Sequence, residues 1–356
     1  MTWTKGDSFA LLWTLALAGV GGVVATALGL PLGYMLGSMI LVALFASFGI
    51  RLGGRGVFLP PTLRVAFVPV IGVVIGAAFS PEVAGQALGW WVSLLALLLY
   101  IPVAHGLGYA IYRLGGLDRP TAFFGAVPGG LIESVELADA AGANVPMTAG
   151  LHFLRLIGII LCIPLIFTLL TGQVVGSAGA VQAVGSGRPL SLWDAGVLFA
   201  SGVVGWYGGR LLRLPAYFMT GPLLASAVAH GMGWVHGVPP GWLVAVTQVV
   251  VGGGLGARFA GLGGAMLGRA VALSVLYGAA LMGVAFVFAV GVHALGVAPT
   301  AAAFLAFAPG GVAEMSLVAL SLQYSVVFVT VHHVARIVIS VMMAKYGYRM
   351  MMARRP

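Results

Sequence analysis

The stretch "AFFGAVPGGLIES" occupies residues 122–134, and "AFLAFAPGGVAEM" occupies residues 303–315. Each sets Pro-Gly-Gly, which a helix interior tolerates poorly, inside apolar sequence, and each adds a glutamate three residues later. Sliding the chain on itself pairs Pro128-Gly129-Gly130 with Pro309-Gly310-Gly311; 309 minus 128 is an offset of 181 residues. At that offset Glu133 falls on Glu314, His152 on His333 and Arg155 on Arg336 without a gap. Upstream, with small slips, Leu30-Pro31, Met35 and Gly37 fall on Leu214-Pro215, Met219 and Gly221. Likewise Gly72, Gly76 and Phe79 fall on Gly252, Gly256 and Phe259. The chain therefore reads as two copies of one unit, residues 1–171 and 190–356. They are joined over 172–189 by a linker rich in Gly, Ser and Ala.

Composition fixes the solvent. Of 356 residues 61% are hydrophobic and 7% charged, against roughly 25% charged in a soluble domain. Stretches such as 9–30, 88–112, 145–170 and 270–295 meet the need for about 20 apolar residues to cross a hydrocarbon core. The expected fold is an all-α polytopic membrane protein. The formal charge of +9 is spread singly between apolar runs, which reads as topology signal and lipid contact, with no nucleic-acid partner. Cys162 is the single cysteine, so neither a disulfide nor a thiolate metal site can be built within the chain. Lys5 and the small-residue run after it resemble a signal peptide, but the internal repeat argues that this segment is kept.

The first copy shows apolar segments near 9–29, 31–50, 62–80, 88–113 and 145–171, with the broken segment at 120–144. The second shows 191–211, 216–235, 242–260, 270–295 and 324–345, with the broken segment at 300–322. Cytoplasmic loops collect Lys and Arg, so charge can orient them. If each Pro-Gly-Gly segment dips in and returns on one side, each copy has five crossings and the copies are inverted. Of the 17 Lys and Arg, with Arg155 and Arg336 set aside as lying within segments, only Arg188 then lies outside and the other 14 lie inside. If the segment crosses, the copies are parallel and the count is 11 against 4. Five crossings, inverted copies and both termini cytoplasmic are expected; crossing broken helices with a neighbouring segment redrawn are the alternative.

Backbone broken by Pro and Gly persists in a membrane only where protein or a water-filled cavity covers it. The helix restarting after the break aims unpaired N–H groups and a positive dipole end into the membrane. Such breaks at matching places in inverted copies mark the binding site of a secondary transporter. The expected substrate or ion site is thus Gly129, Gly130, Glu133 and Glu136 with Gly310, Gly311 and Glu314. Each of Glu133 and Glu314 either caps its own helix or exchanges a proton or ligates a cation. His152, Arg155, His333 and Arg336 form a supporting network, each His–Arg pair three apart on one helix face. The arginines either bridge to the glutamate of the same copy or clamp a carboxylate-bearing substrate; the histidines read as satisfied core residues. Asp139 and Asn144 suit a wet exit, making the first broken segment the more polar, since the second has Leu320 and Ser325 there. The GxxxG spacings at 72–76 and 252–256 suit tight internal packing, or a homodimer seam. Pro69, Pro102 and Pro164 suit kinks.

"LPLGYMLGSM", "VPGGLIESVELADAAGANVP" with "HFLRL", and "APGGVAEM" with "HHVAR" resemble the AbrB-type duplicated membrane family of bacteria, over nearly the whole chain. Its members carry labels such as ammonia monooxygenase or regulator of gene expression. That family is in turn similar to inverted-repeat carriers of the cation/proton antiporter and bile-acid symporter type. The resemblance implies a carrier with crossed or re-entrant segments at its centre, in a bacterial inner membrane.

The sequence thus points to a secondary active transporter of a small polar or ionised solute, coupled to H+ or Na+, without a cofactor or metal. Its site is expected between the two Pro-Gly-Gly segments. The alternative is a membrane-embedded ligand sensor that regulates gene expression without transport. An ammonia-oxidising enzyme would need a metal cluster, and the seven histidines are dispersed, with only His332 and His333 adjacent.

Overall fold

A computed structural model describes residues 5–79, 85–175, 190–259 and 264–353. Most of the expected linker, residues 176–189, lies outside the described residues. The first copy gives α1 (Lys5–Ala27), α2 (Gly33–Ser47), α3 (Pro61–Gly76), α4 (Trp91–Leu114, led in by a 3-10 turn), α5 (Arg119–Gly125), α6 (Leu131–Ala140) and α7 (Val145–Thr171). The second gives α8 (Leu192–Leu211), α9 (Tyr217–Gly231), α10 (Gly241–Gly256), α11 (Gly264–Ala294), α12 (Thr300–Phe307), α13 (Val312–Ser321) and α14 (Val326–Ala353). No strand occurs among the described residues, only one bridge between Leu52 and Arg55.

Six spans are long and apolar enough to cross a membrane, among them Ala87–Leu114, Val145–Thr171 and Leu267–Ala294. Large apolar side chains stand exposed along them and their neighbours, as with Leu12, Leu99, Phe199 and Val287. In water these faces would be unfavourable at about 25 cal/mol per Å²; in lipid they are the solvated surface. The chain is an all-helical, multi-pass membrane protein.

Three segments are shorter than the hydropathy suggests. Helices α2, α3 and α9 have 15, 16 and 15 residues, about 22–24 Å at 1.5 Å per residue. Two of them open on the same unusual backbone. Leu32 after Pro31 has φ 45° and Ala216 after Pro215 has φ 47°, both left-handed without being glycine. That conformation costs an L-residue roughly 1–2 kcal/mol, so surrounding contacts hold it. The Leu32 amide, for one, donates to the Val175 carbonyl at 2.8 Å.

The chain divides into two compact units, each drawing on both sequence copies. One comprises Met1–Val83, Ile163–Leu262 and Ser316–Val326; the other comprises Ala84–Cys162, Gly263–Met315 and Val327–Pro356. Within the first unit, contacts come in matched pairs. Helix α1 packs on α2 as α8 packs on α9, and α10 packs on α2 as α9 packs on α3. Glycines set these approaches. A methyl on Gly72 would meet the Met219 carbonyl and one on Gly76 the Leu223 carbonyl, while one on Gly252 or Gly256 would meet the Met35 or Met39 carbonyl. The GxxxG pairs are therefore seams between helices of this one chain.

The second unit holds both Pro-Gly-Gly segments. Matched pairs recur: Ser274 donates to the Leu151 carbonyl (3.2 Å), while Ser93 bonds the His332 ring (2.9 Å) at the positions 181 residues away. Pro69, Pro102 and Pro164 lie inside helices α3, α4 and α7. Around the first break, Phe123, Phe124, Val127, Ala138 and Ala344 form a buried apolar cluster.

Candidate functional site

Each Pro-Gly-Gly separates a short helix that ends from a short helix that begins. Helix α5 has 7 residues and α6 has 10; α12 has 8 and α13 has 10. The last carbonyls of α5 and α12 and the first N–H groups of α6 and α13 therefore crowd each break.

The carbonyls are claimed by the long helices α7 and α14. His152 Nε2 bonds the Phe124 carbonyl at 2.8 Å, and Arg155 Nη2 donates to the Val127 carbonyl at 3.0 Å. In the second copy His333 Nε2 bonds the Leu305 carbonyl at 2.9 Å. Arg336 donates to the carbonyls of Phe307 (3.3 Å), Ala308 and Gly310 (2.9 Å). Within each pair the arginine Nη2 also meets the histidine Nδ1, at 3.2 Å and 3.0 Å. An arginine can only donate, so each Nδ1 accepts and each Nε2 carries the proton toward its carbonyl. A guanidinium at the carbonyl end of a helix also opposes the negative end of its dipole.

This geometry answers the question about the arginines in a way the sequence did not suggest. Their described bonds run to backbone carbonyls and to their own histidines, which places them at the end of the preceding helix. Arg155 is 5% exposed and Arg336 2%.

The glutamates lie at the opposite side of each break. A methyl built on Gly130 would sit 3.3 Å from a Glu133 carboxylate oxygen, and one built on Gly311 would collide with the Glu314 carboxylate. Both carboxylates thus fold back over the glycine that starts their helix, where a negative group is stabilised. They differ in access. Glu133 is part-exposed while Glu314 is 8% exposed. Gly130 has a left-handed backbone (φ 67°) and Gly311 does not. Glu136 and Asp139 are exposed on α6. Asn144 caps α7, accepting from the Met147 amide at 3.0 Å. Gly129 packs against α14, and Gly310 lies under the Met315 side chain.

Sequence comparison of the copies missed three tyrosines and a serine. Tyr277 of α11 donates to the Ala126 (2.7 Å) and Ala104 (3.1 Å) carbonyls and lies 5.4 Å from the Arg155 guanidinium carbon. Tyr100 of α4 stands edge-on to Phe307, ring centroids 5.4 Å apart, within electrostatic reach of both arginines. A residue of each copy thus touches the other copy's break. Tyr112 stacks edge-on to Tyr277 at 5.2 Å. Ser340, one turn beyond Arg336, has its Oγ 3.4 Å from a methyl position on Gly129. Tyr100 and Tyr277 are 177 residues apart, four off the offset of the breaks, and Ser340 matches Ile159, so strict alignment hides them. Among the described residues no three His, Cys, Asp or Glu lie close enough to hold one metal ion.

Three comparisons bear on this arrangement. The family profile described as transition state regulatory protein AbrB matches residues 50–352. The Bacillus subtilis (strain 168) protein YhjN is 25% identical, over 96% of this chain and 92% of its own length. The Escherichia coli (strain K12) protein named "Putative regulator AbrB" is 28% identical, over 65% of each chain.

Proposed function

The chain belongs to the AbrB family, and on that premise we propose that it is a secondary active transporter of a small polar or ionised solute, not an enzyme. The observation that carries the reading is the pair of breaks in one compact unit, each with its carbonyl end held by a buried arginine and its N–H end facing a glutamate. Broken helices in corresponding places are how carriers expose polar backbone to a solute inside a bilayer.

The same bonds favour protons over sodium for coupling. A bound Na+ draws on unwound carbonyl oxygens. Here the carbonyls of Phe124, Ala126, Val127, Leu305, Ala308 and Gly310 already accept from side chains. Glu133, part-exposed at the N–H end of the first break, is the group that can couple by taking up and releasing a proton. The test is electrical: full-length protein in liposomes on a solid-supported membrane, given pH jumps, sodium jumps and a panel of small carboxylates, ammonium and amines. A solute-dependent transient current that responds to pH and not to sodium is the expected result. A sodium-driven current would reject the proton assignment, and neither current nor electroneutral flux with any solute would reject the carrier.

Five crossings per copy, re-entrant breaks, inverted copies and cytoplasmic termini in a bacterial inner membrane complete the proposal, supported by the one-sided Lys and Arg count. A cysteine placed in the linker at 176–189 should then react with a membrane-impermeant thiol reagent from outside intact cells. Labelling from the cytoplasmic side alone would sink the inverted topology.

The names of the family and of the Escherichia coli relative favour a second reading, a membrane-embedded ligand sensor. It predicts a cytoplasmic partner recovered with the purified protein, and ligand binding without flux.

A further inference from the structure

The two breaks match in sequence but are not equally satisfied. Arg336 uses both terminal nitrogens on three carbonyls and His333, leaving only Nε without a hydrogen bond. Arg155 makes one carbonyl bond and one to His152, and its Nε and Nη1 are buried with no hydrogen-bond partner among the described residues. A guanidinium has five N–H donors, so three of Arg155's are unused. The Ser340 hydroxyl shares this state, fully buried and without a partner among the described residues.

Arg155 and Ser340 both stand at the first break. Tyr277 takes the Ala126 carbonyl there, while Tyr100 stands against Phe307 at the second break. Arg155 holds Val127, and Ser340 faces Gly129 two residues on. On α7 the position that matches Ser340 is Ile159, which offers no hydroxyl. Leaving a buried donor unpaired costs about 1–3 kcal/mol, more for a charged one. A buried guanidinium with unpaired donors and a buried hydroxyl, at one break, describe a cradle for an acceptor.

We infer that the first break binds the carboxylate group of the transported solute, with Arg155 and Ser340 as its ligands, while Arg336 only closes the second break. The inference rests on the carrier reading and deepens it. Charge balance links solute to proton. With both glutamates ionised, the two arginines and two carboxylates cancel; protonating Glu133 leaves one positive charge, which a carboxylate neutralises. Solute and proton then travel together, in the same direction, through the more accessible of the two breaks.

The test is binding, independent of flux. Full-length protein in nanodiscs is melted with acetate, lactate, succinate and citrate, with chloride and methylammonium as controls. At least one carboxylate should raise the melting temperature saturably. Arg155→Lys should weaken its apparent affinity about tenfold or more, equivalent to about 1.4 kcal/mol. Ser340→Ala should weaken it severalfold. Arg336→Lys should instead lower the melting temperature of the unliganded protein. The inference is overturned if none of the carboxylates stabilises the wild type, or if Arg155→Lys binds as tightly as wild type. Should Arg155→Lys fail to fold, Ser340→Ala decides alone, and unchanged affinity there overturns it. Transport of an amine with no carboxylate bound would refute this inference and leave the carrier standing; carboxylate binding with no flux would do the reverse.

Discussion

Glu133→Gln should abolish pH-driven transport, a loss of about 100-fold or more, while the melting temperature of the purified protein stays within a few degrees of wild type. Glutamine keeps the size of the side chain and its ability to sit over Gly130, but it cannot take up or release a proton. If Glu133 only caps α6, the neutral amide costs about 1 kcal/mol of helix-terminus stabilisation and leaves flux intact. If it carries the coupling proton, the gradient loses its handle, and downhill exchange of solute alone survives. Proteoliposomes loaded with a pH-sensitive dye separate these outcomes: proton movement coincident with solute in wild type, solute exchange without protons in the variant. Full pH-driven activity in Glu133→Gln would reduce the residue to a cap. Glu314→Gln should cost less, because Glu314 is 8% exposed and folded against Gly311, whereas Glu133 is part-exposed.

That difference shows what the sequence could and could not disclose. The duplication, the breaks and the pairing of His with Arg were legible because each depends on residues whose chemistry is rare in an apolar chain. The helical, multi-pass fold was legible from composition and segment length. The partners of the arginines were not legible. A buried arginine near a glutamate suggests an ion pair, yet a break in a helix also releases carbonyls, and carbonyls carry no sequence label. The offset hinted at the answer: Phe124 and Val127 fall on Leu305 and Ala308, and the same bonds form at both. Glu136 shares a face with Glu133 by helical spacing but stands exposed, because the face of α6 that packs inward carries Ser134 and Ala138.

The paired geometry also explains why the repeat is worth keeping in sequence while the two compact units cut across it. Helices α2 and α10, from different copies, meet at Gly252 and Gly256, and α3 and α9 meet at Gly72 and Gly76. Neither copy could bury these seams alone. The left-handed Leu32 and Ala216 stand at the starts of the two receiving helices. Backbone strain repeated at matching places is bought by packing that each copy supplies to the other.

The largest effect on stability is expected from Arg336→Met. Methionine matches the length and apolar stem of the arginine but donates nothing, so the carbonyls of Phe307, Ala308 and Gly310 lose their described side-chain donor at a position only 2% exposed. Removing a buried charge does relieve its desolvation, which can favour an apolar replacement. That relief applies where both partners become apolar; here the acceptors are backbone and stay behind. With each buried unpaired acceptor costing about 1–3 kcal/mol, the loss should exceed about 3 kcal/mol. Thermal unfolding in detergent would register it as a large drop in melting temperature, or as failure of the protein to accumulate. Arg155→Met should cost clearly less, since Arg155 holds only the Val127 carbonyl. Equal losses in the two variants would mean that both arginines are closures of the same kind. A small loss in Arg336→Met would mean that water reaches the second break and satisfies its carbonyls, and both breaks would then be open to the solute.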